Sequence, residues 1–191
     1  DDCDDTDPAL PATDSDCDGL DCEAIMSGDT YFAACPGGFS WSSGESHCTS
    51  GGHDGLASIL SASENDTVED LLGALDTRAW IGMNDLDSEG VWEWSSGREG
   101  SFESWYDGSG GGMVQPSGDG DCGYMYSPTD GGPYPGLWND YPCGSTSEGS
   151  FSFATVCETR TPEVDGYAAC DDWRAAGYTT DGLYTLALDD G

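Results

Sequence analysis

The chain has 191 residues, with 38 acidic side chains against four basic ones and a formal net charge of -34. All four basic residues are arginines, so no basic face exists to neutralise nucleic-acid phosphates, and an anionic membrane surface repels the chain. The absence of lysine removes P-loop, Schiff-base and Ser-Lys chemistry, and no apolar run approaches the ~20 residues of a membrane span.

Residues 1–29 are dominated by Asp, Cys, Ser, Thr and Gly. Two clusters stand out, Asp2-Cys3-Asp4-Asp5-Thr6-Asp7-Pro8 and Asp14-Ser15-Asp16-Cys17-Asp18-Gly19. Alternate oxygen ligands followed by Gly form the first half of an EF-hand-type loop. Ile25 stands at the twelfth position, where the closing bidentate Glu belongs, so this is not an EF-hand proper. The segment resembles the Asp/Cys-rich calcium repeats of thrombospondin type 3 and of some bacterial surface proteins. The resemblance implies calcium at Asp2, Asp4, Asp14, Asp16 and Asp18; the alternative expectation is a disordered acidic tail. No basic-then-apolar signal segment opens the chain, which reads as a mature or trimmed product.

Residues 30–160 read as the core. Tyr31-Phe32 begins an apolar run, and Trp41 to Cys48 reads as a short helix. Ser61-x-x-Glu64 forms a capping box ahead of Val68, Leu71, Leu72 and Leu75, whose spacing predicts an amphipathic helix. Ala79-Trp80-Ile81-Gly82 and Val91-Trp92-Glu93-Trp94 read as strands, the Trp92/Trp94 stripe as core. A Gly-rich stretch follows from Gly108 to Gly120, and Phe151, Phe153 and Thr155 alternate in a last strand. Two early helices followed by short strands around a long irregular loop predict an α+β fold.

The order Trp41…Cys48, Leu56-Ala57-Ser58-Ile59, Trp80-Ile81-Gly82, Glu93-Trp94, Phe102-x-x-Trp105, Gln115-Pro116, Asp121-Cys122, Trp138-Asn139-Asp140, Cys143 and Val156-Cys157-Glu158 resembles a C-type lectin-like domain over roughly 130 residues. The resemblance implies two helices, short antiparallel strands, a long calcium-binding loop and the disulfides Cys48–Cys157 and Cys122–Cys143. It also implies a loop calcium that binds a pair of sugar hydroxyls directly, with Gln115, Asp119, Asn139 and Asp140 as its ligands here. Three positions depart from the family pattern. Ser117 replaces the Asn or Asp after Gln-Pro, Gly120 stands where Glu is common with Asp119 beside it, and the stretch from Pro116 to Cys122 is short. Gln-Pro leans towards galactose-type specificity, and Ser117 breaks that inference. An auxiliary calcium site matches the family better, at Asp85, Glu89 and Asp121. Trp138 packs in the core of such domains whether or not they bind sugar.

Residues 161–191 read as a linker and a partial module. Cys170 to Ala176 predicts a short helix with Gly177 beyond its end, and Asp181-Gly182-Leu183-Tyr184-Thr185-Leu186 a turn and strand. This resembles the opening of a fibrinogen-like domain, whose remainder would lie further downstream.

Nine cysteines indicate an oxidising, extracellular or cell-surface setting. Cys3, Cys17, Cys22 and Cys35 supply four beyond the lectin-like framework, with Cys3–Cys17 and Cys22–Cys35 one arrangement among those that sequence leaves open, and Cys170 is left over. His47, Cys48 and His53 fit no common zinc spacing. No carboxylate pair stands out as a hydrolase dyad, so a non-enzymatic role is expected. Asn65-Asp66-Thr67 is a formal glycosylation sequon. Calcium-dependent glycan binding is the leading expectation. The alternative is a subunit of a calcium-stabilised extracellular fibre built from neighbouring copies, with protein or ice binding on the same loop face a third option.

Overall fold

The structure, a computed structural model, describes residues 22–129 and 134–160. The acidic segment through Asp18 and the stretch resembling a fibrinogen-like opening lie outside the described residues, as do Cys3, Cys17 and Cys170.

The elements run β1 (Glu23–Ser27), β2 (Thr30–Cys35), α1 (Trp41–Ser50), β3 (Gly55–Leu56), α2 (Ala62–Leu75), β4 (Arg78–Asn84), β5 (Glu93–Trp94), β6 (Cys122–Met125), β7 (Trp138–Tyr141), β8 (Ser147–Glu148) and β9 (Phe151–Arg160). The main path of the sheet is β1-β2-β9-β4-β6-β7. Its pairings are antiparallel, as expected of the short strands, except β4–β9, which is parallel. Strand β1 falls inside the stretch that reads as an acidic segment in sequence. It pairs with β2 from Glu23↔Ala34 to Ser27↔Thr30, turning through Gly28 at φ 63°.

Strand periodicity divides the interior in two, because successive side chains face opposite ways. Phe32, Ala34, Ala79, Ile81, Met83, Met125, Ala154 and Val156 join Val68, Leu71 and Leu72 of α2 in one cluster. Ala33, Cys35, Trp80, Cys122, Tyr124, Phe153 and Cys157 join Trp41 and Cys48 of α1 in the other. The apolar spacing expected of α2 is thus the spacing that packs. Ser61 caps α2 by accepting from the Glu64 amide at 3.2 Å. The Glu64 carboxylate does not close the expected box on Ser61; it accepts from the Leu60 amide at 2.6 Å and pairs with Arg160 at 3.0 Å. Helix α1 has its own capping box, between Ser40 and Ser43.

Disulfides join Cys48 to Cys157 and Cys122 to Cys143, the pairs the resemblance implies, and Cys22 to Cys35. The first ties α1 to β9, and the second braces the start of β6 against the chain just after β7. Among the described residues, no helix is long and apolar enough to cross a membrane.

Candidate functional site

The site is built where β4 ends, β6 begins and β7 runs alongside. Beyond Asn84 the chain leaves β4 into the turn carrying Asp85 to Trp92. The long irregular stretch after β5 returns at Asp121, just before β6. One backbone bond closes the two, from the Asp85 amide to the Asp121 carbonyl at 3.1 Å.

Asp85 is 4% exposed. Its Oδ2 accepts from the Gly90 amide at 2.7 Å, which folds the turn around the carboxylate. Its Oδ1 is buried and has no hydrogen-bond partner. With Glu89, Gly90, Trp92, Pro116, Ser117 and Gly118 it lines a cleft of about 200 Å³. Glu89 and the side chain of Asp121 are exposed. The auxiliary set therefore divides: Asp85 and Glu89 share the cleft, while Asp121 reaches the Asp85 turn through its carbonyl.

The second set converges on Asp140, which is fully buried in β7. Its Oδ1 accepts from the Ser117 amide and its Oδ2 from the Gly118 amide, both at 2.8 Å. This bidentate grip straps the 115–121 stretch onto β7. Gln115 is anchored by its amide to the Tyr106 carbonyl at 2.8 Å and precedes the cis peptide to Pro116. The Ser117 hydroxyl donates to Asp119 Oδ1 at 2.6 Å. Asn139 is tethered through Nδ2, which donates to the Asp140 carbonyl at 2.9 Å and the Tyr124 hydroxyl at 3.3 Å. Asn139 Oδ1 and Gln115 Oε1 are left buried and unpartnered, like Asp85 Oδ1.

Buried polar atoms are nearly always paired, so three orphaned side-chain oxygens around one loop call for a donor or a cation. All three are hard oxygens, the ligand type that calcium selects. The chemistry of Asp85 with Glu89, and of Gln115 with Asn139, fits such an ion. Two departures weigh against a full sugar-type ligand set. An ideal Cβ on Gly120 would lie well inside 3.0 Å of three Tyr141 backbone atoms, so no acidic side chain can stand there. Both carboxylate oxygens of Asp140 are already engaged by backbone amides.

Two tyrosines that sequence reasoning did not single out organise the site. The Tyr106 hydroxyl accepts from the Gly110 and Gly112 amides at 2.6 and 3.3 Å, shaping the Gly-rich loop. Tyr124 pairs with Asn139 across β6 and β7, and its hydroxyl donates to Glu148, which also holds Arg78. Burial, ahead of the neighbouring carboxylate, pushes the Tyr124 hydroxyl far above its ordinary pKa, so it stays protonated. Nothing in the chain marks these tyrosines apart from its other seven.

Trp138 is fully buried, and its indole N–H donates to Asn65 Oδ1 at 2.8 Å. Asn65 Nδ2 donates to the Gly136 carbonyl, which removes the sequon asparagine from any glycan attachment in the folded state. Trp94 is core, and Trp92 packs edge-on against Trp105. His47 sits with Cys22 and Cys35, their ligand atoms within 4.8 Å of one another, but both sulfurs are spent in a disulfide. The N-terminal set Asp2, Asp4, Asp14, Asp16 and Asp18 lies outside the described residues.

A family profile described as the lectin C-type domain matches residues 38–159. An alpha-N-acetylgalactosamine-specific lectin of Patiria pectinifera is 33% identical over 133 residues, covering 65% of this chain and 70% of that lectin. C-type mannose receptor 2 of Mus musculus is 28% identical over 147 residues, 73% of this chain. The match spans only 9% of that receptor. Among solved structures, herring type II antifreeze protein aligns with a TM-score of 0.57 at 22% identity, covering 72% of this chain and 96% of that one.

Proposed function

The chain belongs to the C-type lectin family, and on that premise we propose that it is a secreted or cell-surface recognition protein that binds glycan through calcium on its loop face. The observation that carries this reading is the set of three buried oxygens without partners, Asp85 Oδ1, Gln115 Oε1 and Asn139 Oδ1. Asp85 and Glu89, with Asp121, would hold one ion; Gln115 and Asn139, with Asp119 and Asp140, would hold the other. Calcium takes six to eight oxygens, so an ion held by few protein ligands keeps positions for vicinal sugar hydroxyls. The protein's own part is preorganisation: Asp140 fixes the loop, and Tyr124 orients the Asn139 amide so that Oδ1 faces away from its tethers. A galactose-type preference is the finer expectation, drawn from Gln115-Pro116 and from the relative specific for alpha-N-acetylgalactosamine. Three disulfides among the described residues support an oxidising, extracellular location.

A second reading keeps calcium and drops the sugar, leaving a structural ion in an extracellular assembly of neighbouring copies. The absence of any room for a side chain at Gly120, together with the engaged carboxylate of Asp140, favours it. A glycan array run in calcium and again in EGTA separates the two. Calcium-dependent binding to a galactose-class glycan, lost in Gln115→Ala, supports the first. Absence of binding in both buffers removes it and leaves assembly, measured by light scattering with and without calcium.

A further inference from the structure

Asn139 offers an oxygen to the loop face only while its amide is held one way round. The two ends of that amide have nearly the same size and opposite hydrogen-bonding character, so packing alone does not choose between them. Among the described residues, Nδ2 has two acceptors: the Asp140 carbonyl at 2.9 Å and the Tyr124 hydroxyl at 3.3 Å. The carbonyl can only accept. A tyrosine hydroxyl can accept or donate, so left to itself it would serve Oδ1 as well as Nδ2.

The choice is made on the far side of Tyr124. This tyrosine is fully buried in β6, directly opposite Asn139 in β7. Its hydroxyl donates its single proton to the Glu148 carboxylate in β8. Arg78 donates to the same Glu148 oxygen and, at 3.5 Å, to the Tyr124 hydroxyl. The guanidinium is itself held over the rings of Phe151 and Tyr126, at 4.7 and 5.1 Å from their centroids. The hydroxyl thus gives one hydrogen bond and accepts two, which fills its capacity. Towards Asn139 it can present only a lone pair. A flipped amide would set Oδ1 against two acceptor oxygens and turn N–H groups towards the loop face. Glu148 makes no hydrogen bond to Asn139, so its influence passes through Tyr124.

We infer that Glu148, held by Arg78, is a positioning residue for the loop face: by committing the Tyr124 proton it fixes the Asn139 amide with Oδ1 turned away from Tyr124. The consequence for calcium rests on the reading proposed above; the orientation of the amide does not.

The test uses the ¹⁵N-labelled full chain with Tyr124→Phe, Glu148→Met, Glu148→Gln and the double variant Tyr124→Phe with Glu148→Met. Without calcium, the wild type should show a nuclear Overhauser contact from the Asn139 side-chain N–H protons to the Tyr124 ring. Glu148→Met should weaken it, whereas Glu148→Gln, whose amide oxygen can take both donors, should keep it. In a calcium titration followed at the Asn139 side chain, Glu148→Met and Tyr124→Phe should each weaken binding by about fivefold, the worth of one hydrogen bond. The double variant should be no weaker than the weaker single one, because both changes remove the same interaction. The Gly90 amide, which reports on Asp85, should titrate alike in all of them. An unchanged contact in Glu148→Met, undiminished binding in Tyr124→Phe, or losses that add in the double variant overturns the inference. A wild type without any calcium response overturns the calcium reading alone, and the calcium-free contact then decides the role of Glu148.

Discussion

Replacing Gly120 by alanine probes how tightly the loop is laid on β7. The added Cβ would fall on the backbone of Tyr141, well under 3.0 Å from its Cα, carbonyl carbon and oxygen. Carbon atoms need about 3.5 Å, so one backbone must retreat by on the order of 1 Å. Tyr141 is paired with Cys122 in the β6–β7 ladder, and Asp121 holds the Asp85 amide at 3.1 Å. The retreat strains an overpacked contact, at about 1–3 kcal/mol, and loosens one or two backbone hydrogen bonds at about 1 kcal/mol each. The expected loss is therefore about 2–5 kcal/mol, read from urea unfolding followed by tryptophan fluorescence. Gly144→Ala is the matched control. Its Cβ would meet nothing within 4 Å and its φ is not positive, so a change within about 0.5 kcal/mol is expected. If Gly120→Ala is as stable as the control, the close approach that bars a carboxylate from this position is wrong.

Loss of the Cys48–Cys157 disulfide, which closes a separation of 109 residues, should cost more than loss of Cys122–Cys143 at 21. Paired Cys→Ser variants measured by urea unfolding should differ by about 1–1.5 kcal/mol. Asn65→Ala strands the Trp138 N–H, while the Gly136 carbonyl keeps the Ser104 hydroxyl at 3.1 Å, and should cost about 1–3 kcal/mol in the same assay. Glu158 has its pKa raised by burial, against the opposing pull of the Ser58 hydrogen bonds and of Arg160 and Arg98. Because the folded pKa lies above the unfolded one, this group favours folding more as pH falls through the folded pKa towards the ordinary carboxylate range. Glu158→Gln should reduce that slope in calcium-free protein, as read from melting temperature against pH. A net charge of -34 also predicts that added NaCl, without calcium, raises the melting temperature as it screens self-repulsion; a flat salt profile would contradict this.

The parts of the fold visible in the sequence are those set by local pattern. The spacing of Val68, Leu71 and Leu72 fixed α2, and the alternation in Phe151-Ser152-Phe153 fixed the start of β9. Strand β1 was hidden because Glu23-Ala24-Ile25-Met26-Ser27 follows an acidic run and gains its pairing from β2. The destination of Glu64 was hidden for a related reason. Its partner Arg160 is nearly a hundred residues away, and a short-range motif cannot show a long-range competitor. In the site, the ligand positions came from motif order, whereas Asp140 clamping the Ser117 and Gly118 amides is a tertiary event. The roles of Tyr106 and Tyr124 depend on where their hydroxyls arrive, which no spacing encodes. Gly120 looked like a missing ligand in sequence; in the structure it is a backbone contact that excludes one.

The most direct test of the loop-face account is thermal unfolding in excess calcium and in EGTA, at one high NaCl concentration so that screening is constant. Calcium at about a hundred times its dissociation constant contributes about 2.7 kcal/mol, or roughly 5–10 °C in melting temperature for a chain of this size. The wild type should show that rise, and Asp85→Asn, which weakens the buried carboxylate without emptying its place, should show less of it. Coincident melting curves in calcium and EGTA would mean that the three unpartnered oxygens are not ion ligands, and would contradict the account.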